Sequence, residues 1–116
     1  MKHASHDNLN VKTVRPGVQR RVFSGEGATL AWTTLDPGHT PRPHSHVFEQ
    51  IVYLVSGRAR FVVGGEEVVL EPGDMLVVPP NVEHWAQTLG DEPVVDLSIF
   101  SPKREEYAAE EGDFGA

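Results

Sequence analysis

From about residue 19 to residue 100 the chain is interrupted by glycine or proline at short, regular intervals. The β-rich runs left between the breaks are only four to eight residues long. Asp36-Pro37-Gly38, Ser56-Gly57, Gly64-Gly65, Glu71-Pro72-Gly73-Asp74 and Pro79-Pro80-Asn81 are turn signals with defined backbone reasons, because proline presets φ and glycine admits φ > 0. The intervals are too short for ordinary helices and show no strong 3.6-residue period, so each reads as a strand. Expected strands are 19–23, 28–35, 50–55, 58–63, 66–70, 75–78, 83–87 and 93–100, with Gly64-Gly65 closing a two-residue hairpin. Many short strands joined by tight turns imply an all-β sandwich or barrel.

At 116 residues the chain holds one modest core and no second domain. Hydrophobic residues at 39% place it among globular chains, and a net charge of −7 argues against nucleic acid or an anionic membrane as partner. Cysteine is absent, which removes both disulfides and thiolate ligands. No stretch near the N-terminus is apolar for long enough to be a signal peptide or a membrane span, so the expected compartment is the cytoplasm. Residues 1–16 read as a polar arm, 17–104 as the barrel and 105–116 as an acidic tail with at most a short helix.

Chemistry concentrates in His44-Ser45-His46, followed by Gln50 and, behind the Pro79-Pro80-Asn81 turn, by His84. Residues i and i+2 of a strand point the same way, so two imidazoles at this spacing can converge on one ion. His84 would close the site from a neighbouring strand. The fourth ligand falls to Gln50 and not Glu49 by strand parity, since His44, His46 and Gln50 are all even-numbered. Imidazole nitrogen and amide oxygen suit one divalent transition ion, Zn, Ni, Mn, Fe or Cu. A neutral amide leaves the ion its full charge and so a stronger Lewis acidity.

The wider spacing is longer than a His-x-His pair: Gly38, five residues, His44-x-His46, three residues, Gln50, six residues, Gly57, and then Gly73, five residues, Pro79-x-Asn81, two residues, His84. Both stretches resemble the paired motifs of the cupin superfamily, and the chain is similar to a small single-domain cupin of type 2. The resemblance implies a jelly-roll β-barrel, a double-stranded β-sandwich with the motif histidines at its mouth and a small-molecule substrate above them. Within cupins the chain looks most like KdgF-type proteins, which ketonise unsaturated uronates. Gly17-Val18-Gln19-Arg20, Glu49-Gln50-Ile51 and Phe100-Ser101-Pro102-Lys103-Arg104 carry that likeness, and the last segment also resembles polyketide-cyclase cupins. Cupins usually carry Glu where Gln50 stands. KdgF-type proteins carry an acidic residue two before the Phe of the last segment, where this chain has Ser98, with Asp96 two places further back.

Asp96, Ser98 and Phe100 share a strand face, so Asp96 is a candidate proton carrier, and Arg104 a candidate for holding a substrate carboxylate in a bidentate pair. Asp96 reads equally as a solvated surface group and Arg104 as a surface ion pair; His39 reads as a loop histidine and Phe100 as core. Arg20, Arg21, Arg42, Arg58 and Arg60 would favour anions if they faced a pocket. The expected function is enol-to-ketone isomerisation or cyclisation of a small carboxylated or carbonyl compound such as an unsaturated uronate. An Fe or Cu dioxygenase and a non-catalytic binder are the alternatives. Outward apolar residues of the central strand, Ile51 and Tyr53 among them, imply a homodimer.

Overall fold

Alternation of apolar and polar residues puts the interior of this protein on one side of each strand, and the burial pattern follows it closely. The computed structural model describes residues 1–112. Its strands are β1 (Lys12–Arg15), β2 (Val18–Ser24), β3 (Thr29–Leu35), β4 (Glu49–Ser56), β5 (Arg58–Val63), β6 (Glu66–Leu70), β7 (Met75–Val78), β8 (His84–Leu89) and β9 (Val94–Ser101). They form two antiparallel sheets, a six-stranded one in the order β1-β2-β3-β9-β4-β7 and a three-stranded one in the order β6-β5-β8. The two pack face to face as a jelly-roll sandwich over Val18, Leu35, Val52, Leu54, Ala59, Phe61, Leu70, Val78 and Val94. On β4 the even-numbered Val52 and Leu54 are sealed while Ile51, Tyr53 and Val55 face outward. Gly64 and Gly65 both hold positive φ, 57° and 83°, which two-residue hairpin turns of this hand require. Gly57 is constrained by packing too, because a Cβ there would lie 2.5 Å from the Pro93 carbonyl.

Two features depart from the expectation. The boundary placed at residue 17 falls inside a hairpin: β1 pairs with β2 through Lys12↔Arg20 and Thr13↔Gln19, and Gly17 at φ 79° makes the turn. Lys-Thr-Val-Arg is too short and too polar to announce itself as a strand; it is held by the free edge of β2. The polar arm is also anchored. Leu9 is buried, and the Lys2 ammonium reaches both the Ser24 carbonyl and the Glu111 carboxylate at 2.6 Å. After β9 a short helix, α1 (Glu105–Ala108), leads to Glu110, which pairs with Arg20 at 2.6 Å and with Lys12 at 3.2 Å. The end of the acidic tail, residues 113–116, lies outside the described residues. No helix among the described residues is long and apolar enough to cross a membrane.

Candidate metal centre

His44 and His84 meet through the backbone. His44 lies in an isolated bridge to His84, with N–H to O=C distances of 3.1 and 2.9 Å in the two directions, and this sets their rings 4.3 Å apart. His46 comes in from the following loop, where its carbonyl accepts from the Asn81 N–H at 2.7 Å and its ring lies 4.8 Å from that of His84. Asn81 holds φ 65°, a left-handed conformation that asparagine tolerates, and this lets the Pro79-Pro80-Asn81 turn fold back onto His46. The ligand-competent atoms of His44, His46 and His84 all lie within 4.8 Å of one another.

The three rings are oriented alike. Each Nδ1 sits 2.9 Å from a backbone carbonyl two residues away: Arg42 for His44, Phe48 for His46 and Val82 for His84. A carbonyl only accepts, so each Nδ1 carries the proton and each Nε2 presents a lone pair. The His84 Nε2 is buried and has no hydrogen-bond partner. Burial lowers the pKa of His84 to about 4 and shifts that of His46 downward, so both stay in the neutral form that binds metal.

Gln50 lies beside the three histidines. Its Oε1 is 3.1 Å from the His46 Nε2, and its amide nitrogen donates to the Ser98 Oγ at 2.9 Å; Ser98 in turn donates to the Asp96 Oδ1 at 3.1 Å. With Asp96 as the terminal acceptor the chain runs one way only, and the amide oxygen turns toward the histidines. Two acceptors then face each other at 3.1 Å, an arrangement that repels unless an electrophile lies between them. The orphaned His84 nitrogen and this acceptor pair are what a divalent ion would satisfy, so the residues fit such an ion. Glu49 is exposed on the opposite strand face.

His44, Gln50 and His84 line a cavity of about 270 Å³ with Asp96, Ser98, Phe100 and Arg104, at the small end of the roughly 300–1,000 Å³ of ligand pockets. Asp96 is buried because β9 lies between β3 and β4 and turns it inward, opposite Thr33 and Leu54. Burial raises its pKa to about 7, against the opposing pull of the Ser98 hydroxyl. The Arg104 fork holds Glu106 at 2.9 Å, and its guanidinium carbon stacks 3.8 Å from the ring centre of Tyr107 and 4.7 Å from that of Phe100. His39 is buried in the cavity wall, where its Nε2 accepts from the Thr88 N–H at 3.3 Å, apart from the other three histidines.

Of the arginines singled out as anion-friendly, Arg20 and Arg42 border the cavity, while Arg21, Arg58 and Arg60 do not. Sequence reasoning missed Arg15, which precedes any recognisable strand, and the bridging place of Ser98. The even-numbered Asp96-Ser98-Phe100 series carried a signal for the second.

The Cupin domain family profile matches residues 31–100. Among solved structures, KdgF from Halomonas sp. is 30% identical, with a TM-score of 0.80 over 89% of this chain and 94% of that one. An RmlC-like cupin from Shewanella frigidimarina is 26% identical, with a TM-score of 0.83 over 92% of this chain and 96% of that one. Acireductone dioxygenase from Bacillus cytotoxicus is 37% identical over 62 residues, 49% of this chain; the match spans 36% of that protein's length.

Proposed function

The chain belongs to the cupin domain family, and from that premise we propose that it is a metal-dependent isomerase or cyclase acting on a small, enolisable carboxylated compound such as an unsaturated uronate. The observation that carries this reading is the hydrogen-bonded line from Gln50 through Ser98 to Asp96, which joins the three-histidine cluster to a buried carboxyl. His44, His46, Gln50 and His84 would hold the ion, which supplies Lewis acidity toward a bound carbonyl or enol oxygen. Ketonisation moves a proton from an enol oxygen to the neighbouring carbon and needs no co-reactant. With a pKa near 7, the Asp96 carboxyl can both give and take that proton at neutral pH. Arg104, clamped by Glu106 and the aromatic rings, is a fixed positive charge whose field reaches His46 and His84, and it favours a substrate carboxylate or a developing oxyanion beside them. The likeness to KdgF supports this reading, and the match to acireductone dioxygenase favours a second one, oxygenation.

The test uses a 4,5-unsaturated uronate monosaccharide with the metal-loaded protein in deuterium oxide. Accelerated conversion with deuterium entering at carbon, and a flat oxygen-electrode trace, is the expected result. Stoichiometric oxygen uptake by an iron or copper form would establish the second reading and retire the first.

We also propose a homodimer. Ile51, Tyr53, Met75 and Val77 are 37%, 39%, 65% and 53% exposed and form cross-strand pairs, Ile51↔Val77 and Tyr53↔Met75, on the outer face of the larger sheet. Such a contiguous apolar face gains by being covered. Light scattering at about 20 μM, a working range for modest interfaces, should return twice the chain mass and fall to one chain mass in Tyr53→Glu; a monomeric wild type counts against the dimer.

A further inference from the structure

The cavity holds two arginines that no counter-charge accounts for. Four guanidiniums border it: Arg15, Arg20, Arg42 and Arg104. Arg20 is spoken for by a two-pronged pair with Glu110, Nε to Oε2 at 2.9 Å and Nη2 to Oε1 at 2.6 Å, and Arg104 by Glu106. Among the described residues the side chains of Arg15 and Arg42 make no hydrogen bond and no ion pair, and the Arg15 Nε is buried without a partner. The charges nearest Arg15 are Arg42 and Arg20, which repel it, and Arg15 in turn opposes a charge on His39. Asp36 lies near His39 but forms no ion pair with either arginine. Arg42 is exposed at the cavity rim, whereas Arg15 is half-buried with its Nε sealed from water, and an unpaired, partly desolvated guanidinium that a second one repels is costly in a folded chain of net charge −7, where carboxylates to neutralise it are plentiful.

The pair is also separate from the positive charge beside the histidines. His46 and His84 feel Arg104, whereas neither is perturbed by Arg15 or Arg42. The backbone carbonyl of Arg42 fixes the His44 ring, so its side chain starts one short step from the metal-binding histidines.

We propose that Arg15 and Arg42 form an oxyanion subsite in the cavity, so that its ligand is a small acid bearing a second oxyanion group. Two planar forks suit a carboxylate or a phosphoryl group, which share the oxygen geometry that guanidinium recognises. The small cavity limits the ligand to a compact molecule. This deepens the proposed function, because it adds a second oxyanion group to the enolisable carboxylated substrate, of which the monoanionic uronate is then the minimal test compound, and for that step it rests on that reading. The subsite itself does not depend on the metal.

The experiment uses the full chain stripped of metal and dialysed free of chelator, titrated calorimetrically with inorganic phosphate, glutarate and butyrate. The dianions glutarate and phosphate are expected to saturate with Kd below about 10 mM and butyrate to bind at least tenfold more weakly. Arg15→Gln and Arg42→Gln should each weaken dianion binding at least tenfold, while Arg58→Gln, outside the cavity, leaves it unchanged. Because the protein is metal-free throughout, the titration separates failure of the subsite from failure of the metal assignment. Preference for phosphate marks a phosphoryl second group and preference for glutarate a second carboxylate, and either supports the subsite. Because Arg15→Gln removes an unpaired charge, its melting temperature should equal or exceed that of the wild type. Dianion binding that is equal in the wild type and both arginine variants, or absent in all of them, overturns the proposal.

Discussion

Replacing His84 by Ala is expected to strip the protein of its divalent ion while leaving its strands in place. His84 supplies the orphaned buried nitrogen of the cluster, and its Nδ1 is committed to the Val82 carbonyl, so Nε2 is the donor atom that a bound ion would lose. Disturbing the groups that only orient metal ligands typically costs about 10–100-fold in affinity. Removing a ligand outright should therefore cost at least about 100-fold. The fold is expected to survive because the His44–His84 bridge is made by the backbone, and the main core cluster does not include this ring. Metal content after equilibrium dialysis, together with circular dichroism, checks both halves. Stoichiometric metal in a folded His84→Ala protein would remove the assignment. His46→Ala should behave the same way, with the added loss of the contact that Gln50 makes through its amide oxygen.

Asp96→Asn should move stability and activity in opposite directions. An ordinary aspartate titrates near 3.8, and burial raises Asp96 to about 7. The folded state therefore binds the proton more tightly than the unfolded state does. Below pH 3.8 the carboxyl is protonated in both states and carries no penalty. As pH rises through 3.8 the unfolded chain releases its proton while the folded one keeps it, so stability falls until the folded carboxyl also ionises near 7 and is level above that. At roughly 1.4 kcal/mol per pH unit the full loss is on the order of 4 kcal/mol.

Asparagine has no such titration, although its amide group needs an acceptor that the carboxyl did not. A net gain of about 2 kcal/mol at pH 8, shrinking to nothing near pH 4, is a fair expectation for the metal-free protein. Thermal melts at pH 5 and pH 8 measure it. The same variant loses the proton carrier, and turnover of the uronate should drop by about 100-fold or more with metal content intact. Equal pH dependence in wild type and variant would mean that Asp96 is not held protonated by its surroundings. Undiminished turnover would take it out of the chemistry.

A buried group that costs stability is retained most readily where it works, and Asp96 and Arg15 share that character. Both lie in the cavity, and neither has an opposite charge among the described residues to offset its burial.

Local pattern made eight of the strands legible. Period-two alternation on β4 and β9 set which residues face inward, and the glycine and proline turns marked where each strand stops. Pattern failed at β1, whose four residues carry no alternation worth reading and pair only because β2 offers an edge. Parity turned Gln50 toward the histidines and Glu49 to solvent, even though the chain from His46 to Phe48 bends and is not a strand.

The sequence by itself determined the all-β class, the cupin resemblance and the spacing that brings His44, His46 and His84 to one end of the barrel. These depend on short-range periodicity and on turn residues, which act within a few positions of themselves. Only the tertiary structure decided the environments. Asp96 could have faced solvent until β9 was inserted between β3 and β4 and covered by the second sheet. Arg104 could have been free until Glu106, Phe100 and Tyr107 closed around it. Arg15 and Arg42 were two cations among ten lysines and arginines until folding set them at one cavity with no partner among the described residues. Charge, burial and pairing are properties of what surrounds a group, and here those surroundings come from segments tens of residues apart.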